Sequence, residues 1–310
     1  MRRIVKFLKE VWRAFKQTVT VFGDADPFNK SIVISYYTIL SLPGLLVIII
    51  NIAGYFFGEE AVTGEISRQV EGAVGGDTAQ EIERIVARAS QNEGTTLSSI
   101  LGIATLIFGA TGVFYNLQLI FNTIWEVKPK PKGKILKLVK DRLFSFGLVL
   151  VVGFLLLVSL VLSAALAAVA NWVSTHISDS LRVVFKVLDI LLSFGVVTVL
   201  FAAMYKFLPD AKVRWRTVWL GAVITSLLFV VAKFLLGLYF GKSEPGSTYG
   251  AAGSIVLIML WVSYAGLILL FGGTFTRVWA NQRGHRTAPS SHAANSEPKI
   301  AGGSLSESKA

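Results

Sequence analysis

The 310-residue chain has no cysteine, three histidines and only 19 acidic residues. Without thiols it can form no disulfide, no thiolate metal site and no cysteine nucleophile. His176 is the only histidine outside the tail, where His285 and His292 lie. The carboxylates concentrate in one segment, Gly58–Gly94, which carries eight of them. No cluster with metal-ligand spacing and no nucleophile–base pair can be recognised, so no metal, no cofactor and no enzymatic activity are expected.

Charge is also missing from long runs. Ser31–Gly58, Gly94–Trp125, Leu143–Ser178 and Pro245–Thr276 contain no Asp, Glu, Lys or Arg. Each exceeds the roughly 20 apolar residues that cross a bilayer core. Two further runs are interrupted, Val183–Tyr205 by Lys186 and Asp189, and Thr217–Gly241 by Lys233. With 53% apolar residues, the pattern predicts an all-α, polytopic membrane protein. Its six-helix bundle would have spans near 31–57, 97–125, 143–170, 183–205, 215–240 and 250–278. Helices satisfy their own backbone hydrogen bonds in lipid. Small residues thicken at Gly102, Gly109 and Gly112, at Ser159, Ser163, Ala164, Ala167 and Ala168, and at Gly250 and Ser254, which suits close helix packing. A homo-oligomer is compatible with this pattern, and the oligomeric state is left open.

The charges that remain are sorted. Basic clusters precede span one (Arg2, Arg3, Lys6, Lys9, Arg13, Lys16, Lys30), separate spans two and three (Lys128 to Arg142), separate spans four and five (Lys206, Lys212, Arg214, Arg216) and follow span six (Arg277, Arg283, Arg286). Alternate loops are acidic or nearly neutral. The net charge of +11 is therefore read as orientation and attraction to anionic headgroups, not nucleic-acid binding. Both termini are expected in the cytoplasm, with span one as an uncleaved targeting signal.

Residues 1–26 read as an amphipathic interfacial helix, with Ile4, Leu8, Val11, Trp12, Phe15, Val19 and Phe22 at helical spacing among the cations. The segment 59–93 reads as a small outer helical cap, its second helix started by Asp77 with Gln80 in the capping-box position. Residues 284–310 read as a disordered tail.

Polar residues inside the spans are the candidate site. Tyr37, Ser41, Asn51 and Tyr55 share one face of span one, and Pro43 should strain that helix. Tyr115, Gln118 and Asn122 share a face of span two. Such stripes either join helices or line an aqueous path. Lys233 is costly in lipid unless paired, and Asp189 lies at similar depth. An Asp189–Lys233 contact is expected, with Lys186 as a third member; the alternative is that Lys233 snorkels to the headgroups.

Four stretches resemble the YihY / virulence factor BrkB family of bacterial inner-membrane proteins: Ser35-Tyr-Tyr-Thr-Ile-Leu-Ser-Leu-Pro43, Asn122-Thr-Ile-Trp125, Leu208-Pro-Asp210 with Val213-Arg-Trp-Arg216 and Gly221, and Tyr249-Gly250 with Trp261, Tyr264 and Gly272. The resemblance covers roughly residues 30–279. Family members often carry a glutamate where this chain has Thr274. The resemblance implies envelope work, namely translocation of a lipid or lipid-linked compound. Ribonuclease activity, once ascribed to the family, finds no support in these residues. A transporter would use the two polar stripes and Lys233 to hold an anionic compound, with Lys206, Arg214 and Arg216 at the inner mouth. A non-transporting scaffold would keep the same residues as structure.

Overall fold

The computed structural model describes residues 2–58, 112–113, 115–129, 181–243, 253–284 and 293–295, with isolated positions at 60, 63–64 and 84. Among them the fold is almost wholly helical: α1 (Arg2–Asp24), α2 (Pro27–Phe57), α3 (residues 115–124), α4 (Leu181–Phe207), α5 (Trp215–Ser243) and α6 (Gly253–Gln282). The expected cap at 59–93, the span at 143–170 and most of the span at 97–125 lie outside the described residues.

Among the described residues three helices are long and apolar enough to cross a membrane: Val183–Phe207, Trp215–Tyr239 and Ile255–Gln282. At 1.5 Å per residue the shortest is about 37 Å long, beyond the hydrocarbon thickness of about 30 Å. The break before α2 falls at Ala25-Asp26. Asp26 is held in the left-handed region at φ 51° and accepts a 2.7 Å hydrogen bond from Asn29 Nδ2. Pro27 then opens α2, where its missing N–H has no helical partner to lose. The helix continues through Pro43 to Phe57 without interruption.

α6 is the hub, packing against α1, α2 and α5, while α4 packs on α5. The main core sits at the end of the bundle where α3 and α4 finish and α5 begins. There Leu117, Phe121, Trp125, Tyr205, Leu208, Val218 and Leu270 are buried together. A second cluster joins α1 to α6 through Ala14, Phe275, Val278 and Trp279.

One short strand pair accompanies the helices, and half of it lies within the 284–310 tail expected to be disordered. Ala293–Asn295 forms a strand, antiparallel to Val127–Pro129, with Val127 opposite Asn295. The cause is local. Glu126 adopts φ 53° and ends α3, and the chain leaves extended through Lys128 and Pro129. Extended backbone groups there find partners only in another strand.

Candidate functional site

Tyr205, on α4, is completely buried. Its hydroxyl lies 2.9 Å from Thr225 Oγ1 of α5 and donates to the Leu269 carbonyl of α6 at 3.0 Å. One phenol thus ties three helices together. The approach depends on glycine. A Cβ at Gly272 would collide with Thr225 Oγ1 and the Tyr205 hydroxyl, one at Gly221 with Thr276 Oγ1, and one at Gly273 would sit 2.6 Å from Phe121 Cε1. In lipid, helices associate through this kind of close packing, because tails are as apolar as side chains.

Below Tyr205 lies a polar knot. Asn122 Nδ2 donates to Asp210 Oδ2 at 3.0 Å, and the Asp210 N–H donates back to Asn122 Oδ1 at 2.7 Å. Gln118 Nε2 reaches Asp210 Oδ1 at 3.4 Å. Asn122 is buried, and its amide clamps the Leu208-Pro-Asp210 turn with one bond donated and one accepted. Arg277 of α6 donates to the Ile124 carbonyl at 2.6 Å and pairs with Glu126. A cation there offsets the partial negative charge at the C-terminus of α3. Lys206 donates to the Val213 carbonyl and lies 5.7 Å above the Trp215 ring.

Above this floor the helices part around a cavity of about 260 Å³, lined by α2 (Ile34, Thr38, Ser41), Val113, α3 (Leu117), α4 (Phe201, Met204), α5 (Phe229) and α6 (Val262, Ala265, Gly266, Leu269). Among the described residues its hydroxyls are Thr38 and Ser41, and both donors are committed. Thr38 Oγ1 donates to Ile34 O at 2.8 Å, and Ser41 Oγ donates to Thr38 O at 3.0 Å. Among the described residues the lining therefore offers mostly hydrocarbon and no free hydroxyl donor.

The sequence-predicted residues divide between floor, cavity and surface. Ser41 lines the cavity. Tyr37 packs beside Gly112, where an added Cβ would lie 3.5 Å from its Cδ1. Gln118 and Asn122 belong to the knot, so in this stripe the joining role prevails over the aqueous one. Tyr115 is half-buried, and Asn51 has its side chain outside those described. Lys206 is tied down as above, while Arg214 and Arg216 are exposed. Thr274 is buried and donates to Leu270 O of its own helix at 2.9 Å.

The expected Asp189–Lys233 ion pair is not formed. Asp189 Oδ1 is buried without a hydrogen-bond partner, and Lys233 and Lys186 are exposed. Helical phase explains the separation. Tyr205 and Phe201 face α5, Phe201 meeting Phe229 edge-on at 5.8 Å. Asp189 is turned about 160° from Tyr205 around α4, given 3.6 residues per turn. Similar depth did not imply a shared face.

Sequence reading missed Tyr205, Thr225, Asp210 and Arg277 as a connected floor. The signal was present in part. Asn122-Thr-Ile-Trp125, Leu208-Pro-Asp210, Gly221 and Gly272 were all singled out as motif residues, and they converge at this one end. Among the described residues no group of three His, Asp or Glu side chains is placed to hold a metal ion.

The profile of the family Virulence factor BrkB matches residues 18–297. The chain belongs to this family. Among curated relatives, a UPF0761 membrane protein of Verminephrobacter eiseniae is 26% identical over 288 residues, covering 89% of this chain and 65% of the relative. One of Saccharophagus degradans is 24% identical over 286 residues, 91% of this chain and 63% of the relative. One of Tolumonas auensis is 31% identical over 191 residues, 60% of this chain and 59% of the relative. The chain thus spans less than two thirds of the length of these relatives. No solved structure matches it. Family membership together with the apolar helices makes it an integral membrane protein.

Proposed function

We propose that this member of the BrkB family is a lipid transporter or translocator of the bacterial cytoplasmic membrane. It takes the acyl chain of an anionic lipid or lipid-linked envelope compound into the cavity above Tyr205. The observation that carries this reading is the lining: an opening of about 260 Å³ walled, among the described residues, by mainly aliphatic and aromatic side chains, with both hydroxyls donating to their own helix. A polar solute would find only the Thr38 and Ser41 oxygens as acceptors among these side chains, and each group left unpaired costs about 1–3 kcal/mol. A hydrocarbon chain loses nothing and fills a packing gap. Headgroups would be gathered by Lys212, Arg214 and Arg216, which are exposed beside Trp215 and Trp219. Positive charge at this end supports a cytoplasmic position for it and for both termini.

The test is a liposome assay with fluorescently labelled phosphatidylglycerol. Wild type should move the lipid between leaflets, and Ala265→Phe, which fills the cavity, should not. Equal rates in the two proteins would refute the cavity as the route. A second reading, a scaffold without transport, is favoured by the separation of Asp189 from Lys233, which leaves no charged pathway between them. Lipid held in the cavity without measurable movement would select it.

A further inference from the structure

One surface, on α1, is used by neither the floor nor the cavity. This helix divides into three sectors. The first, centred on Ala14 and Thr18, is completely buried against α6. It is fixed by Phe7 edge-on to Trp279 at 5.9 Å, by Arg283 donating to Glu10 at 2.9 Å and by Gln282 donating to Gln17 at 3.0 Å. The second holds Ile4, Leu8, Trp12 and Val19, between 53 and 64% exposed. The third holds Lys6, Lys9, Arg13 and Lys16, all exposed.

At 100° per residue, Leu8, Trp12 and Val19 fall within one stripe about 40° wide, and the four cations occupy the arc directly beyond it. An apolar stripe bordered on one side by packed protein and on the other by lysine and arginine has the arrangement of a helix lying in a bilayer interface. Lys16 lies 5.5 Å over the Trp12 ring, so the border itself pairs a cation with an amphipathic aromatic.

We propose that α1 is an anionic-lipid anchor clamped to α6, with Leu8, Trp12 and Val19 below the headgroups and the four cations among the lipid phosphates. The occupant of this face is the membrane surface. Charge decides for it, since every charged residue on the exposed arc is a cation and α1 carries a single acidic residue before Asp24, Glu10, which is already paired with Arg283. Because α6 also lines the cavity with Val262 to Leu269, the anchor bears on the same helix as the proposed lipid route, though it does not depend on that route.

The absence of native cysteine makes the test direct. Leu8→Cys and Arg13→Cys variants of the full chain, spin-labelled in nanodiscs, report depth by their relative accessibility to oxygen and to a water-soluble nickel chelate. In discs containing phosphatidylglycerol, the oxygen-to-nickel ratio should be several-fold higher at position 8 than at 13. In phosphatidylcholine discs, or with Lys9, Arg13 and Lys16 changed to Glu beside Leu8→Cys, the ratio at position 8 should fall. Equal nickel access at both positions in phosphatidylglycerol discs would overturn the proposal by putting the stripe in water. A label at position 8 shielded from both reagents would also overturn it, and would indicate a protein partner.

Discussion

The floor and the cavity are made by the same helices, yet they are built on opposite terms. At the floor, polar groups are numerous and matched: Tyr205 bridges three helices, and Asn122 and Asp210 exchange two hydrogen bonds. Glycines let backbones close to distances at which a methyl group would collide. One or two turns above, the lining is hydrocarbon and the helices leave about 260 Å³ unfilled. The difference teaches that the floor is specified by partners, each of which fails if removed. The cavity is specified by what is small, Ala265 and Gly266 among the larger side chains, and fails if something is added.

That contrast gives four ways to break it. The largest effect is expected from Ala265→Phe. Loss of acyl-chain labelling in the cavity should reach about tenfold or more, equivalent to ~1.4 kcal/mol, while thermal unfolding in detergent stays close to wild type. Next is Asn122→Ala, which strands the Asp210 carboxylate and its N–H. It should lower stability by about 1–3 kcal/mol, read as a lower melting temperature, with cavity labelling retained by the folded fraction. Gly272→Ala should cost about 1–3 kcal/mol by overpacking against Thr225 and Tyr205, and Thr225→Ala in the same chain should recover part of that loss. The smallest effect belongs to Lys233→Leu. An exposed lysine without an ion pair should change stability by no more than about 0.5 kcal/mol and leave lipid movement intact. A large loss of lipid movement would restore the charged-site reading of span five.

How far the sequence could be read follows from the same contrast. Long apolar runs with few or no charges located α4, α5 and α6 to within a few residues, because a bilayer penalises every ionised side chain it meets. The amphipathic face of α1 was legible from its spacing, but its docking on α6 was not: Arg283 and Glu10 are 273 positions apart, and nothing local pairs them. Asn122 was visible as a polar residue in a span; that it clamps a turn instead of facing water depended on Asp210, 88 positions away. The Asp189–Lys233 contact failed because depth can be counted along a helix whereas azimuth depends on which helices touch. The strand at Ala293–Asn295 was hidden because its partner is a three-residue segment created by the left-handed Glu126.

The most direct measurement is photolabelling of the full-length protein in bilayers with a phosphatidylglycerol carrying a diazirine along one acyl chain, followed by mapping of the adducts. The account predicts adducts on Met204, Phe229 and Val262, lost in Ala265→Phe. Adducts confined to the outward residues Leu227, Val230 and Phe234, and unchanged in that variant, would contradict it.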